Sequence, residues 1–275
     1  MPLLMEEDSF DTGTVKLNFA QGPPNGPPIL LLPSMGRSWK SFTPVIPVLA
    51  RDWQVYALDY RGHGKSGRVP GHYLAREHYE DLAAFCNHTF SEPLVLLGHS
   101  MGGAMAFGYA QEYPQRLRAL IVGDASLDQA AHIEKMTTPV MKRFYASTQK
   151  LAKKPLDELK TLFSERGTPL EEAEDLSQLD PGILDYHAQG RLVEYFEGIH
   201  DPNLDRIPCP ILFIQGNPDK GALLSDGEVS KALAEYPHVS HVRIDHAGHD
   251  LGFWRGELEP FIQAVIGFLK EIKDA

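Results

Sequence analysis

The chain has 275 residues, 43% hydrophobic and 23% charged, a composition that suits one large α/β domain carrying an insertion. Its net charge of -11 excludes a general nucleic-acid binder, because neutralising phosphates takes a basic face, and argues against docking on an anionic membrane. No window of about 18 apolar residues is present to span a bilayer. The opening MPLLMEEDSFDTG lacks a basic region followed by a long apolar run, so a cytoplasmic protein is expected.

In chain order, the turn cluster QGPPNGPP (21–28) precedes a short apolar run, Ile29-Leu30-Leu31-Leu32, that ends at Pro33. A helical pattern covers 38–50, and Trp53 to Leu58 forms a second apolar run. A helix is expected over 76–89, a strand over Leu94 to Leu97, and a helix over 101–112. Leu120-Ile121-Val122 and Ile211 to Ile214 are further apolar runs, and His241 to Ile244 alternates as an edge strand does. The closing stretch 257–273 repeats apolar residues near a spacing of 3.6. Runs without polar alternation, separated by amphipathic helices, describe a mostly parallel sheet with helices on its faces. The segment 127–206 breaks the alternation and is mostly helical in pattern, which divides the chain into a core of 1–126 and 207–275 and a helical insertion. Its acidic run Glu171-Glu172-Ala173-Glu174-Asp175 is expected to be a solvated face. Cys86 and Cys209 have no metal-like or Cys-x-x-Cys spacing and are expected to be reduced core residues. No metal site is expected.

Two motifs compete for the chemistry. Asp59-Tyr60-Arg61-Gly62-His63-Gly64-Lys65-Ser66-Gly67 contains Gly-Lys-Ser, the closing half of a phosphate-binding loop. The first glycine of that loop would fall on position 59, which is Asp, and Gly67 to Gly71 cannot open a helix, so an NTPase is rejected. The second motif is Gly98-His99-Ser100-Met101-Gly102. It is entered by an apolar strand and left by a helix with small residues, which places Ser100 on a sharp turn with its hydroxyl pushed outward.

A serine hydroxyl needs a base. His249 follows the last strand and is the expected base; His246, in the same loop, is the alternative, and His63 is taken as structural. His99 adjoins the nucleophile, so its side chain points elsewhere. For the acid, Asp219 follows the Ile211–Ile214 run and fits the order Ser, acid, His, while Asp124, after the strand before the insertion, is the alternative.

With these pieces in place, the chain resembles the α/β-hydrolase superfamily over nearly its full length. The resemblance rests on Gly98-His99-Ser100-Met101-Gly102-Gly103, Asp59-x-Arg61-Gly62-x-Gly64-x-Ser66, Gly216-x-x-Asp219 and Gly248-His249. It implies an eight-stranded, mostly parallel sheet, a helical cap over 127–206, and a Ser100–His249–Asp219 triad that needs no cofactor. Position by position it makes the N–H groups of Met35 and Met101 the oxyanion donors. Where such enzymes usually carry His-Gly, this chain has Pro33-Ser34, so the Ser34 hydroxyl becomes either an added donor or a loop cap.

The expected activity is hydrolysis of carboxylic esters of small to medium apolar substrates through an acyl-enzyme at Ser100. Carbon–carbon hydrolysis, lactone opening and perhydrolysis are alternatives for the same residues, and a ligand receptor with a silent triad is a different class. The expected partner is a small-molecule ester. Tyr145, Tyr186, Tyr195, Phe144, Phe163 and Phe196 are candidates for a pocket lining or for packing within the insertion.

Overall fold

Eight strands form one sheet in the order β1-β2-β4-β3-β5-β6-β7-β8 in a computed structural model that describes residues 5–253 and 257–274. The strands are β1 (Glu6–Asp11), β2 (Lys16–Gln21), β3 (Pro28–Leu32), β4 (Gln54–Leu58), β5 (Leu94–His99), β6 (Leu117–Gly123), β7 (Ile211–Gly216) and β8 (Val239–Ile244). The pairs β1/β2 and β2/β4 are antiparallel, and every other pair is parallel. Sequence periodicity locates the six parallel strands. It misses β1, which is exposed along most of its length, and β2.

The helices are α1 (Ile46–Leu49), α2 (Ala75–Thr89), α3 (Met101–Glu112), α4 (Gln129–Met136), α5 (Pro139–Leu151), α6 (Leu156–Glu165), α7 (Leu170–Ser177), α8 (Asp185–Gln189), α9 (Leu192–Tyr195), α10 (Asp226–Glu235) and α11 (Glu259–Asp274). The helix expected over 38–50 is corrected to a 3-10 turn, Trp39–Phe42, and the single turn α1. Pro44 and Pro47 remove N–H donors and block a continuous helix there.

The apolar runs are buried because both sheet faces are covered. Leu30, Leu32, Leu96, Val122 and Phe213 face one way, into a core shared with Leu82 and Phe85 of α2 and Met105 of α3. Their neighbours Ile29, Leu31, Val95, Leu97, Ile121 and Ile214 face the other way, against Leu49 of α1 and Phe261 and Val265 of α11. The two-residue period of a strand divides one apolar run between two cores.

Between β6 and β7 the described chain forms six α-helices and no strand. Leu159, Phe163, Leu176, Leu179 and Ile183 of this insertion make a separate apolar cluster, joined by Tyr73 from the core. Cys86 and Cys209 are both buried and free. Among the described residues, no helix is long and apolar enough to cross a membrane.

The chain steps from β3 outward to β4 and then returns to the far side of β3 as β5. The carboxyl ends of β3 and β5 therefore flank the point where strand order reverses, which is where an open α/β sheet leaves a crevice. Pro33 to Gly36 and Ser100 lie there.

Candidate active site

Ser100 has φ 55° and ψ -116°, a conformation that strains any L-residue. Its N–H donates to the Gly123 carbonyl at 2.8 Å, which fixes the turn between β5 and α3. A Cβ on Gly102 would lie 2.1 Å from the Leu32 carbonyl oxygen, so only glycine lets α3 leave the turn this close to β3. Among the described residues, the non-glycine positions with positive φ are Ser100, Asp124 (41°) and Leu251 (50°). The strain gathers at one place: His249 lies two residues before Leu251, and its side chain joins Ser100 to Asp124.

His249 Nε2 lies 2.9 Å from Ser100 Oγ, and His249 Nδ1 lies 2.6 Å from Asp124 Oδ2. Asp124 is fully buried at the end of β6. Its Oδ2 accepts the Leu223 N–H at 2.8 Å, and its Oδ1 accepts the N–H groups of Leu224 at 3.3 Å and Gly216 at 3.4 Å. Burial favours the protonated acid, but the hydrogen bond and charge of His249 and the Leu223 N–H outweigh it and hold the carboxyl below its ordinary value. The carboxylate is thus available to fix the imidazole with Nδ1 protonated and Nε2 facing the serine.

The expectation for Asp219 is corrected by this geometry. Asp219 is exposed in the turn after β7, where its own N–H donates to Asn217 Oδ1 at 2.9 Å. Asp124 takes the place beside His249 because β6 adjoins β5 in the sheet and ends next to the serine turn. His246 is also set apart: its Nε2 lies 3.2 Å from the Glu257 carbonyl.

The Met35 and Met101 N–H groups have no protein acceptor among the described residues, and both residues line the cavity that contains Ser100 and His249. Met101 opens the twelve-residue helix α3, whose amino-terminal dipole favours negative charge at that point. Ser34 bridges the loop through its carbonyl, which accepts the Arg37 N–H at 3.1 Å. Ser34 is buried and borders the cavity, and among the described residues its hydroxyl makes no hydrogen bond to protein that would cap the loop.

Two contributors escape sequence reasoning. His99 Nε2 lies 2.7 Å from the His249 carbonyl oxygen, and since a carbonyl only accepts, this nitrogen is the protonated one. The His99 ring stacks on Phe253 at 5.3 Å. Burial, and then the charge of His249, lowers its pKa to about 3, so it is a neutral strut. Asp175 is the second. It lies in the acidic run expected to be solvated, yet it is buried, and its Oδ1 accepts the Ser38 N–H at 3.1 Å and the Ser38 hydroxyl at 2.5 Å. The insertion thereby grips the loop that leads from Met35.

The Gly-Lys-Ser stretch also finds its role. Asp59 is buried at the end of β4; its Oδ1 accepts the Trp39 N–H at 2.7 Å, and its Oδ2 accepts Asn18 Nδ2 at 2.8 Å and the Lys65 N–H at 3.0 Å. Gly64, at φ 50°, would place a Cβ 2.2 Å from Asp59 Oδ2. The loop wraps a carboxylate of its own chain.

The cavity over Ser100 has a volume of about 1250 Å³ and lies between the sheet edge and the insertion. Phe144, Tyr145, Phe163, Tyr195 and Phe196 line it, whereas Tyr186 does not. No group of three or more potential metal ligands occurs among the described residues.

Residues 27–256 match the alpha/beta hydrolase fold, and the chain belongs to that family. It is 28% identical over 247 residues to the magnesium-chelatase 30 kDa subunit of Rhodobacter capsulatus, covering 83% of this chain and 82% of that protein. It is 25% identical over 257 residues to 3-oxoadipate enol-lactonase 2 of Acinetobacter baylyi, covering 90% of this chain and 92% of that one. Among solved structures, E-2-(acetamidomethylene)succinate hydrolase superposes with a TM-score of 0.73 at 17% identity, over 97% of this chain and all of that one, and shares the fold.

Proposed function

We propose that the protein is a serine hydrolase that cleaves carboxylic esters, with Ser100 as nucleophile, His249 as general base and Asp124 as the acid that orients it. The reading is carried by the continuous line from Ser100 Oγ through His249 to Asp124, with contacts of 2.9 and 2.6 Å. Ser100 Oγ attacks the ester carbonyl as His249 Nε2 takes its proton. The Met35 and Met101 N–H groups receive the oxyanion, a contribution worth about 3 to 4 kcal/mol per donor in comparable sites. His249 returns the proton to the leaving alcohol. Water, activated by the same imidazole, then attacks the acyl-enzyme and releases the acid and Ser100. The insertion roofs the reaction and contributes most of the aromatic lining, which favours small to medium apolar groups. Lactone opening is the second reading, since a lactone is a cyclic ester and the similarity to the enol-lactonase spans nearly both chains.

Hydrolysis of p-nitrophenyl esters from acetate to decanoate, measured for the wild type and Ser100→Ala, tests the proposal. Turnover that falls at least about 1000-fold in the variant is expected. Wild-type rates no higher than those of the variant would remove ester hydrolysis.

A further inference from the structure

The insertion's wall of the cavity carries polar atoms that the protein does not use. His187, at 3% exposure, borders the cavity, and its buried Nδ1 has no hydrogen-bond partner. Its ring packs between Tyr145 at 4.7 Å and Tyr195 at 5.0 Å. The Tyr145 hydroxyl and the His132 ring nitrogens make no hydrogen bond to protein among the described residues, and both residues line the same cavity. The Tyr195 hydroxyl meets only the Met101 sulfur, at 3.7 Å. A thioether is a weak acceptor, so this hydroxyl keeps its capacity to donate. Tyr195 thus lies against the residue that follows Ser100, and His187 packs on Tyr195.

Leaving a buried polar atom without a partner costs about 1 to 3 kcal/mol. The buried His187 Nδ1 calls for a ligand atom that satisfies it, and the polar atoms of Tyr145, Tyr195 and His132 lie along the same cavity wall. Burial, and then the charge of His132, lowers the pKa of His187 to about 3, and burial and the charge of His249 lower that of His132 to about 4. Burial pushes the hydroxyls of Tyr145 and Tyr195 upward. All four groups are therefore neutral near pH 7. These four groups suit an uncharged oxygen; the cations that line the cavity, Lys135 beside His132 among them, belong to other parts of its wall.

We propose that His187, together with His132, Tyr145 and Tyr195, forms a specificity subsite for a neutral carbonyl or hydroxyl oxygen on the substrate, remote from the bond that Ser100 attacks. The proposal rests on Ser100 as the reacting group and narrows the substrate class from plain alkyl esters to esters with a second, uncharged oxygen function. A site built to hydrogen-bond an oxygen discriminates against the analogue that lacks it far more strongly than a pocket sensing one methylene.

The test is binding to Ser100→Ala by calorimetry, comparing methyl octanoate with its 5-, 6- and 7-oxo derivatives. At least one oxo ester should bind about tenfold more tightly than the parent, even though its carbonyl must be desolvated. Adding His187→Leu should erase that ratio, and His187→Gln, which keeps polar atoms, should retain part of it. Tyr145→Phe, which removes only a hydroxyl, should lower it independently of whether the leucine variant folds. Parent and oxo esters of equal affinity, or a ratio unmoved by both His187→Leu and Tyr145→Phe, would overturn the subsite. The two proposals fail separately: equal affinities with wild-type turnover remove the subsite and leave the hydrolase, whereas an oxo preference without turnover removes ester hydrolysis and leaves the subsite.

Discussion

Asp59 and Asp124 occupy matching places in the sheet and behave oppositely. Each follows a parallel strand, each is nearly or fully buried, and each accepts hydrogen bonds through both oxygens. Yet burial, with only hydrogen-bond donors to offset it and the charge of Asp175 added, pushes the Asp59 carboxyl up to about 6. At Asp124 the His249 imidazole tips the balance the other way. At Asp59 the hydrogen-bond donors do not compensate the desolvation of the carboxylate; at Asp124 the imidazole partner does. Asp59 is thus suited to holding loops, and Asp124 to steadying an imidazolium during a reaction.

The sharpest way to break this comparison is to neutralise each acid. Asp124→Asn should cost about 10⁴-fold in the rate of ester hydrolysis, because an amide steadies the wrong imidazole tautomer. Steady-state kinetics on the best p-nitrophenyl ester would measure it. A loss below tenfold would mean that Asp124 does not orient His249.

Asp59→Asn should act on stability. In either orientation the amide NH₂ would face a backbone donor, the Trp39 N–H or the Lys65 N–H, at a cost of about 1 to 3 kcal/mol in denaturant unfolding. An unchanged unfolding midpoint would mean that the carboxylate does not hold the loop.

Acid sharpens the same contrast. His63, His99 and His187 are buried with pKa values lowered to about 4, 3 and 3, and burial likewise holds His78 well below the ordinary imidazole value. The unfolded chain binds protons at these sites near pH 6.5, before the folded one does, so stability falls as pH drops below about 6.5. Asp59 works in the opposite direction: its folded carboxyl binds a proton near pH 6 and its unfolded one near 3.8, so acidification between those values adds stability. Tm should fall from pH 6 to 4, and more steeply in Asp59→Asn than in the wild type. A parallel pair of curves would contradict the raised Asp59 pKa.

The smallest effect belongs to the other candidate acid. Asp219→Asn alters an exposed side chain and should change stability by less than about 0.5 kcal/mol and turnover by less than about twofold. A large loss of turnover would restore Asp219 to the catalytic set.

The sequence by itself determined the parallel strands, since an unbroken apolar run is stable only between two covered faces. It also determined the serine turn, because Gly98-x-Ser100-x-Gly102 between a strand and a helix admits few conformations. It pointed to His249 by its place after the last strand. Chain order led to Asp219 as the acid and left Asp124 as the alternative, although both follow parallel strands at the same sheet edge and both fall between Ser100 and His249. Only the tertiary structure, with β6 beside β5, brings Asp124 to the imidazole. For the same reason Asp175 read as part of a solvated run, and nothing in the spacing singled out His187. Their roles depend on contacts with Ser38, Tyr145 and Tyr195, which helical periodicity does not record. Local spacing fixes which face of an element is buried; packing between distant elements decides which polar group finds a partner there and which is left for a substrate.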